Sequence, residues 1–445
     1  MHLLKWLYPG MKFKRWLALF ALGVVFVSIG LAFVFNYKYI GDFEEEIFKI
    51  VYMTTGSYDY TMTAIVGTVI TAVGIAIMLV AMRLIIRSVI SVLLPDNSEN
   101  LVDLIYENRK LEKGPSVTVI GGGHGLSVLL RGIKKQTKNV TAVVTVADDG
   151  GSSGRLREDF GMVPPGDLRN CLVALADTEP LMEKLFQHRF GGSGDLAGHS
   201  FGNLFIAAMT EVLGDFEQAL KESSKVLAVR GRVLPASTQR VRLIATMTDG
   251  TIVEGESKIP EAGKTIDRVH LYPAEVVPAQ SVLDAITDAD VIVLGPGSLY
   301  TSVLPNLLVD DVAETLRRSR AMKIYICNVM TQPGETSGYT ASMHAKAIID
   351  HAGPGVIDYI IVNSKPVSEE AQKKYAAEQS YPVAVDEDGL AELGVRYLKA
   401  DIISQDNPAH HDADKLAANI MELYRESYDM DVADFSVKKR GKHRK

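Results

Sequence analysis

Six short segments of the chain group glycines with hydroxyls, amides or carboxylates. The first is Gly121-Gly122-Gly123-His124-Gly125-Leu126-Ser127, after the apolar run Val117–Ile120 and before a helical pattern over Leu126–Ile133. Glycines let a backbone approach a ligand, and a helix start offers unpaired N–H groups at the positive end of its dipole. The spacing therefore suits an anion or phosphate, with a tight structural turn as the alternative. A dinucleotide fingerprint is broken here because its third small position falls on Leu126, and no Gly-Lys-Ser/Thr follows to make a P-loop. The second segment is Ala147-Asp148-Asp149-Gly150-Gly151-Ser152-Ser153-Gly154-Arg155-Leu156-Arg157. Adjacent carboxylates at a strand end repel unless a positive group is near. Mg²⁺, Arg155 or Arg157 would serve, and an Asx-type turn with solvated acids is the alternative. Such an acid, placed after the second strand, also mimics the ribose-binding acid of a dinucleotide site.

The third segment, Pro164-Pro165-Gly166-Asp167-Leu168-Arg169-Asn170, offers Asp167 as a helix N-cap and Arg169 and Asn170 as polar groups of a first turn. His199-Ser200-Phe201-Gly202-Asn203 opens another apolar helix, with His199 and Asn203 as either structural or ligand-contacting groups. Leu294-Gly295-Pro296-Gly297-Ser298-Leu299-Tyr300-Thr301-Ser302 repeats the logic of the first segment, making Gly297, Ser298 and Thr301 a second anion-contacting set. Asn328 begins the sixth segment, which runs to Thr336 after another apolar strand. No Cys/His spacing suits a metal. His410-His411 precedes the last helix.

These segments need a scaffold that brings them together. Val117–Ile120, Val140–Ala147, Val291–Leu294, Lys323–Val329 and Val356–Val362 are uninterrupted apolar strands. Helices near 126–133, 168–176, 279–289, 309–318 and 340–351 alternate with them. That alternation predicts an α/β, Rossmann-like, doubly wound and mainly parallel sheet whose ligands bind at its carboxyl edge. Arg242–Met247 and Thr251–Glu256, joined by Thr248-Asp249-Gly250, read as a β-hairpin insert.

The chain has 445 residues, 47% of them hydrophobic, and a formal net charge of −7. This composition excludes a disordered chain and gives no charge-based case for a nucleic-acid partner. Cys171 and Cys327 are too few to staple it and read as buried thiols of a reducing compartment. The mean hydropathy of +0.10 is high for an enzyme. It is concentrated in two uncharged runs, about 16–35 and 61–82. The apolar side chains of the first favour insertion by about 4–8 kcal/mol. Lys5, Lys12, Lys14 and Arg15 precede the first run, and Arg83 and Arg87 follow the second. The loop between carries two lysines against five acids. The positive-inside rule then predicts a multi-pass membrane hairpin with both termini and the main domain cytoplasmic. The expected organisation is a transmembrane hairpin over 1–87, a linker with an amphipathic helix over 88–115, a nucleotide-binding domain over 116–430, and a basic tail over 431–445. The tail is read as solvated or as attracted to an anionic leaflet.

The stretches GGGHGLSVLLRGIK, TAVVTVADDGGSSGRLREDFGMVPPGDLRNCLVALAD, HSFGNLFIAAM and VIVLGPGSLYTSVLPNLLV together resemble the YvcK-like gluconeogenesis factors, relatives of the 2-phospho-L-lactate transferase CofD. The resemblance spans about Ser116 to Tyr424 and leaves the hairpin outside it. It implies binding of a UDP-sugar such as UDP-N-acetylglucosamine and a role in cell shape, wall synthesis and gluconeogenic growth. It also implies assembly as a homo-oligomer. The expected nucleotide-binding residues are Gly122, Gly123, His124, Gly125, Leu126, Ser152, Ser153, Gly154, Arg155, Arg169, Asn170, His199, Asn203, Gly297, Ser298, Thr301 and Asn328. Binding is expected to need no cofactor. The alternative is a metal-dependent transferase of the CofD type, with Asp148, Asp149 and Asp167 sharing Mg²⁺. An NAD-dependent oxidoreductase is a third reading, disfavoured by the broken fingerprint, and a non-binding scaffold ranks below it.

Overall fold

A computed structural model describes residues 13–35, 49–50, 52–53, 60–93, 101–177, 180–404 and 410–442. It divides into two compact units, Met1–Glu107 and Asn108–Lys445.

The first unit is built on helices Phe13–Val34 and Tyr60–Leu93. The second helix continues through Arg83 and Arg87 rather than stopping at the predicted end of the apolar run. Both contain segments long and apolar enough to cross a membrane, Arg15–Val34 and Ala64–Ser88. They pack antiparallel through small residues. A Cβ on Gly30 would sit 2.2 Å from Thr71 Oγ1 and 2.6 Å from the Gly67 carbonyl oxygen, so the two backbones meet directly. Large apolar side chains such as Leu22, Val25, Ile65 and Leu79 face outward and are exposed.

The second unit is organised by a seven-stranded, wholly parallel sheet. Its strands are β1 Val117–Gly121, β2 Val140–Val144, β3 Arg232–Pro235, β7 Val291–Leu294, β8 Met322–Ile326, β9 Tyr359–Asn363 and β10 Arg396–Ala400. The spatial order is β10-β9-β8-β7-β1-β2-β3. Every residue of β1, β2 and β7 is buried, as the unbroken apolar runs require of strands covered on both faces. Several strands are shorter than expected. β2 ends at Val144 and not Ala147, and β8 at Ile326 and not Val329, because their carboxyl ends turn early into the polar loops.

The insert is larger than a hairpin. Strands β4 Arg242–Met247 and β5 Ile252–Glu254 pair as expected, but β6 Ile266–Tyr272 adds a third antiparallel strand on the other side of β4. Two strands alone are marginal in water. The third lets the alternate residues Leu243, Ala245, Met247, Val269 and Leu271 bury one face. Both cysteines are free and buried.

Candidate functional site

The chain runs outward from β1 in two directions, through β2 and β3 on one side and through β7 to β10 on the other. At the reversal, between β1 and β7, two glycine loops stand side by side at the carboxyl edge, where open α/β sheets take ligands. The β1 loop passes straight into helix Gly123–Ile133, which presents its first turn there. The β7 loop passes into a π-helical turn, Leu299–Val303, before returning to α-helix. The two loops touch. A Cβ on Gly125 would lie 2.7 Å from the Pro296 carbonyl oxygen, and one on Gly297 would lie 3.1 Å from that of Gly122. Asn306 fastens the π-turn to β1 by donating to the Gly121 carbonyl at 3.2 Å and to that of Ser302 at 2.8 Å.

Between the loops opens a cleft of about 460 Å³, within the usual range for a small-molecule site. Gly122, Gly123, His124 and Gly125 form one wall, and Gly297, Ser298 and Ser302 another. An amide relay crosses it. Asn328 donates to Gln332 Oε1 at 3.0 Å, and Gln332 Nε2 donates to Ser298 Oγ at 2.7 Å. The far rim comes from later chain, with Tyr375, Glu378, Ser380, His410 and His411. His411 Nε2 lies 3.2 Å from the Cys327 carbonyl, and burial lowers its pKa to about 4, so the ring is neutral at physiological pH.

Behind the first glycine loop lies a group of carboxyls. Asp167 occupies the second position of helix Gly166–Leu175, and Pro165 is that helix's N-cap, so the expected capping role is corrected. The Asp167 carboxylate instead accepts the Gly123 N–H at 2.6 Å. Burial, then repulsion from Asp148, raises its pKa to about 6. Asp148 is raised by burial and accepts the Gly150 N–H at 2.9 Å. Asp149 accepts the Ser257 N–H at 2.9 Å, tying the acid loop to the inserted sheet. Glu256, next to that contact, is pushed up to about 8 by burial and by Asp148 and Asp149. Burial also raises Glu335 to about 7, although it accepts the Tyr300 N–H and the Thr301 hydroxyl, both at 3.3 Å.

The residues singled out in the sequence therefore fall in several places. Gly122, Gly123, His124, Gly125, Gly297, Ser298 and Asn328 line the cleft. Leu126 is fully buried in the core, and Thr301 is buried against Glu335. Ser152, Arg169, His199 and Asn203 lie in a buried polar cluster that does not line the cleft, and Ser153 is buried beside Asp148 and Gly166. Ser152 Oγ sits 3.0 Å from His199 Nδ1 and accepts from Asn203 Nδ2 at 3.1 Å. Arg169 donates to Ser200 and to Asn170 Oδ1, the latter at 2.6 Å, and burial lowers its pKa to about 10. Arg169 Nε and Asn203 Oδ1 are buried with no hydrogen-bond partner. Gly154 belongs to helix Gly151–Phe160, and Arg155 on the same helix donates to the Ala197 carbonyl at 2.8 Å.

Sequence reading missed Tyr375, Glu378 and Ser380, which carry no glycine or strand-end signal, and Glu256, which reads as an ordinary acid of the insert. It also left His410 and His411 without a role at the cleft.

The family model described as 2-phospho-L-lactate transferase CofD matches residues 117–403, which span the whole parallel sheet. The chain belongs to the CofD family. Within that family its relatives are gluconeogenesis factors. It is 44% identical over 427 residues to a putative gluconeogenesis factor of Nostoc sp., covering 94% of this chain and 92% of the relative. It is 56% identical over 311 residues to the gluconeogenesis factor of Halalkalibacterium halodurans, covering 70% of this chain and 97% of that one. The Bacillus subtilis gluconeogenesis factor is 52% identical over 313 residues, with 70% and 99% covered. A crystal structure of a Bacillus halodurans protein superposes with a TM-score of 0.68 at 55% identity, covering 69% of this chain and 100% of that one. The Nostoc match is too long to omit the apolar helices, whereas the Bacillus-type matches span about the length of the sheet unit alone.

The transferase chemistry named for the family raises the question of a cation. Among the described residues, no three His, Cys, Asp or Glu side chains stand close enough to share a metal ion. Asp148, Asp149 and Asp167 each hold a backbone N–H instead. In this arrangement they do not form a ligand set.

Proposed function

We propose that the chain is a membrane-anchored regulator that binds a UDP-sugar, with UDP-N-acetylglucosamine as the reference ligand, in the cleft between β1 and β7. The observation that carries the reading is the meeting of two glycine loops around one cleft at the point where strand order reverses. The first turn of helix Gly123–Ile133 and the Gly297-Ser298 backbone would hold the diphosphate. The Asn328–Gln332 relay and the Tyr375 rim would meet the uridine and sugar. The regulated processes would be cell shape, wall synthesis and gluconeogenic growth, of which only the last is touched by the names of the relatives. Calorimetry of the full chain in detergent with UDP-N-acetylglucosamine tests it: saturable heat is expected, and none at about millimolar ligand, −4 kcal/mol of binding, overturns it.

A second reading, phospholactyl transfer of the CofD type, is supported by the family model and by the five carboxyls behind the cleft. Product formation from a nucleotide-activated phospholactate and a deazaflavin, followed by mass spectrometry with Mg²⁺ or Mn²⁺ present, decides it. For the anchor, the two apolar helices and their basic flanks support a hairpin with both ends cytoplasmic. Resistance to alkaline carbonate, with outside labelling of a cysteine placed at Asp42, is the expected result.

A further inference from the structure

At the edge opposite the cleft, where β7 to β10 begin, lies a second cavity of about 530 Å³. Its charged lining comprises Asp290, Arg320, Lys323, Asp358 and Arg396. The acids are already engaged. Asp290 accepts the Ser116 N–H at 2.8 Å. Asp358 accepts the Lys323 N–H at 2.9 Å and pairs with its ammonium at 3.3 Å. Lys323, itself buried, also donates to the Ser319 and Ala321 carbonyls, both at 3.3 Å. Arg320 and Arg396 are exposed, and among the described residues neither has a carboxylate partner. Arg396 is held in place by stacking, with its guanidinium carbon 3.9 Å from the centroid of the Tyr359 ring. The cavity thus offers two guanidinium groups to an anion.

Two features of the fold say what that anion belongs to. Ser116, bonded to Asp290 in both directions, is where the chain from helix Leu101–Glu112 joins the sheet. The C-terminal helix, Ala413–Lys442, starts near the carboxyl end of β8, where His411 meets Cys327. It reaches the second cavity at Tyr424 and Ser427 and continues beyond it. The sequence of its end, Lys438 to Lys445, holds six Lys or Arg. A single soluble anion would use none of this. A surface of many phosphates would engage the cavity and attract the basic end of the chain.

We infer that the amino edge of the sheet docks on anionic phospholipid headgroups, with Arg320 and Arg396 as the phosphate-binding side chains. The inference rests on the reading of the two apolar helices as membrane spans. The test uses the full chain in nanodiscs of phosphatidylcholine, or of phosphatidylcholine and phosphatidylglycerol at about 7:3, with hydrogen exchange followed at residues 319–323 and 396–398. Slower exchange in the anionic discs is expected, and R320E/R396E should abolish the difference, each arginine being worth about fivefold in the docked population. Equal exchange in the two discs, or a difference that survives R320E/R396E, overturns the assignment. So does equal protection by inorganic phosphate in neutral discs, which would mark a free-anion site. UDP-sugar binding by the double variant should be unchanged, which separates loss of docking from loss of fold. If alkaline carbonate extracts the chain, the spanning reading fails by itself. The same composition dependence is then read by flotation with vesicles of the two lipid mixtures.

Discussion

In the paired apolar helices, the absence of a side chain at Gly30 brings two backbones into contact, with Thr71 and Gly67 filling the space directly. At the cleft, Gly125 also meets a backbone, the Pro296 carbonyl, but there the closeness of the two loops shapes an opening beside them. The same residue type closes a joint in one unit and frames a cavity in the other. Substitution should therefore damage assembly in the first and recognition in the second, and each defect should stay within its own unit.

The largest effect is expected from Gly125→Val. Its side chain must displace the β7 loop, and UDP-sugar affinity should fall by about 100-fold or more, roughly 2.7 kcal/mol, in calorimetry. Near-normal binding would break the comparison at the cleft. Next is Gly30→Leu, which cannot fit against Thr71. The helix pair should lose roughly 2 kcal/mol of association, of the order that close backbone packing supplies in a membrane. Energy transfer between dyes placed at Arg15 and Arg87, at the same end of the antiparallel pair, would report it, and ligand binding should not change. A loss of binding in this variant would show that the units are coupled.

Asp167→Asn sharpens the picture of the first loop. The Asp167 pKa is about 6 in the fold, against 3.8 for the ordinary side chain. The folded state therefore holds a proton that the unfolded chain releases. Its stabilising contribution is complete below pH ~4 and is lost as pH rises through about 6. The amide keeps an acceptor for the Gly123 N–H without charge. The variant should be more stable than the parent at pH 7.5 by about 1–3 kcal/mol, and equal or weaker at pH 4, by urea unfolding. The smallest effect concerns pH and ligand. Asp167, Glu335 and Glu256 deprotonate in turn near 6, 7 and 8, so negative charge accumulates behind the glycine loops as pH rises. Affinity for the anionic UDP-sugar should drop roughly three- to tenfold between pH 6 and 8.5, and Glu256→Gln should flatten the upper part of the curve.

The sheet was legible because strands covered on both faces must be continuously apolar, as Val117–Ile120 and Val291–Leu294 are. The apolar helices were legible for the same reason. Glycine loops following such strands announced the cleft's two inner walls. The outer rim did not announce itself. Tyr375 and Glu378 lie at the end of a polar helix, Glu369–Ala376, and in the turn after it, and it is the pairing of Ser380–Pro382 with the loop after β8 that brings them to the cleft. Local pattern also could not separate Ser298, which faces the cleft, from Ser152, which closes a buried network with His199 and Asn203. Both are hydroxyls beside glycines. Their difference lies in what packs against them: helix Phe201–Leu213 brings Asn203 onto Ser152, whereas Ser298 meets Gln332 at the cleft. Asp167 read as a cap because caps are local, whereas its real partner is 44 residues away.

The π-turn at Leu299–Val303 has a consequence for how this site tolerates change in length. A π-turn takes more residues than an α-turn, so the helix beyond it is rotated by roughly 100° for each residue gained or lost. Here that phase sets Ser302 beside Gly122 and Asn306 under Gly121 while Thr301 faces Glu335. Removing one residue would leave composition and hydrophobicity almost untouched, yet it would turn all three side chains away from their partners at once. The segment behaves like a key cut to one length, more sensitive to a deletion than to most substitutions within it.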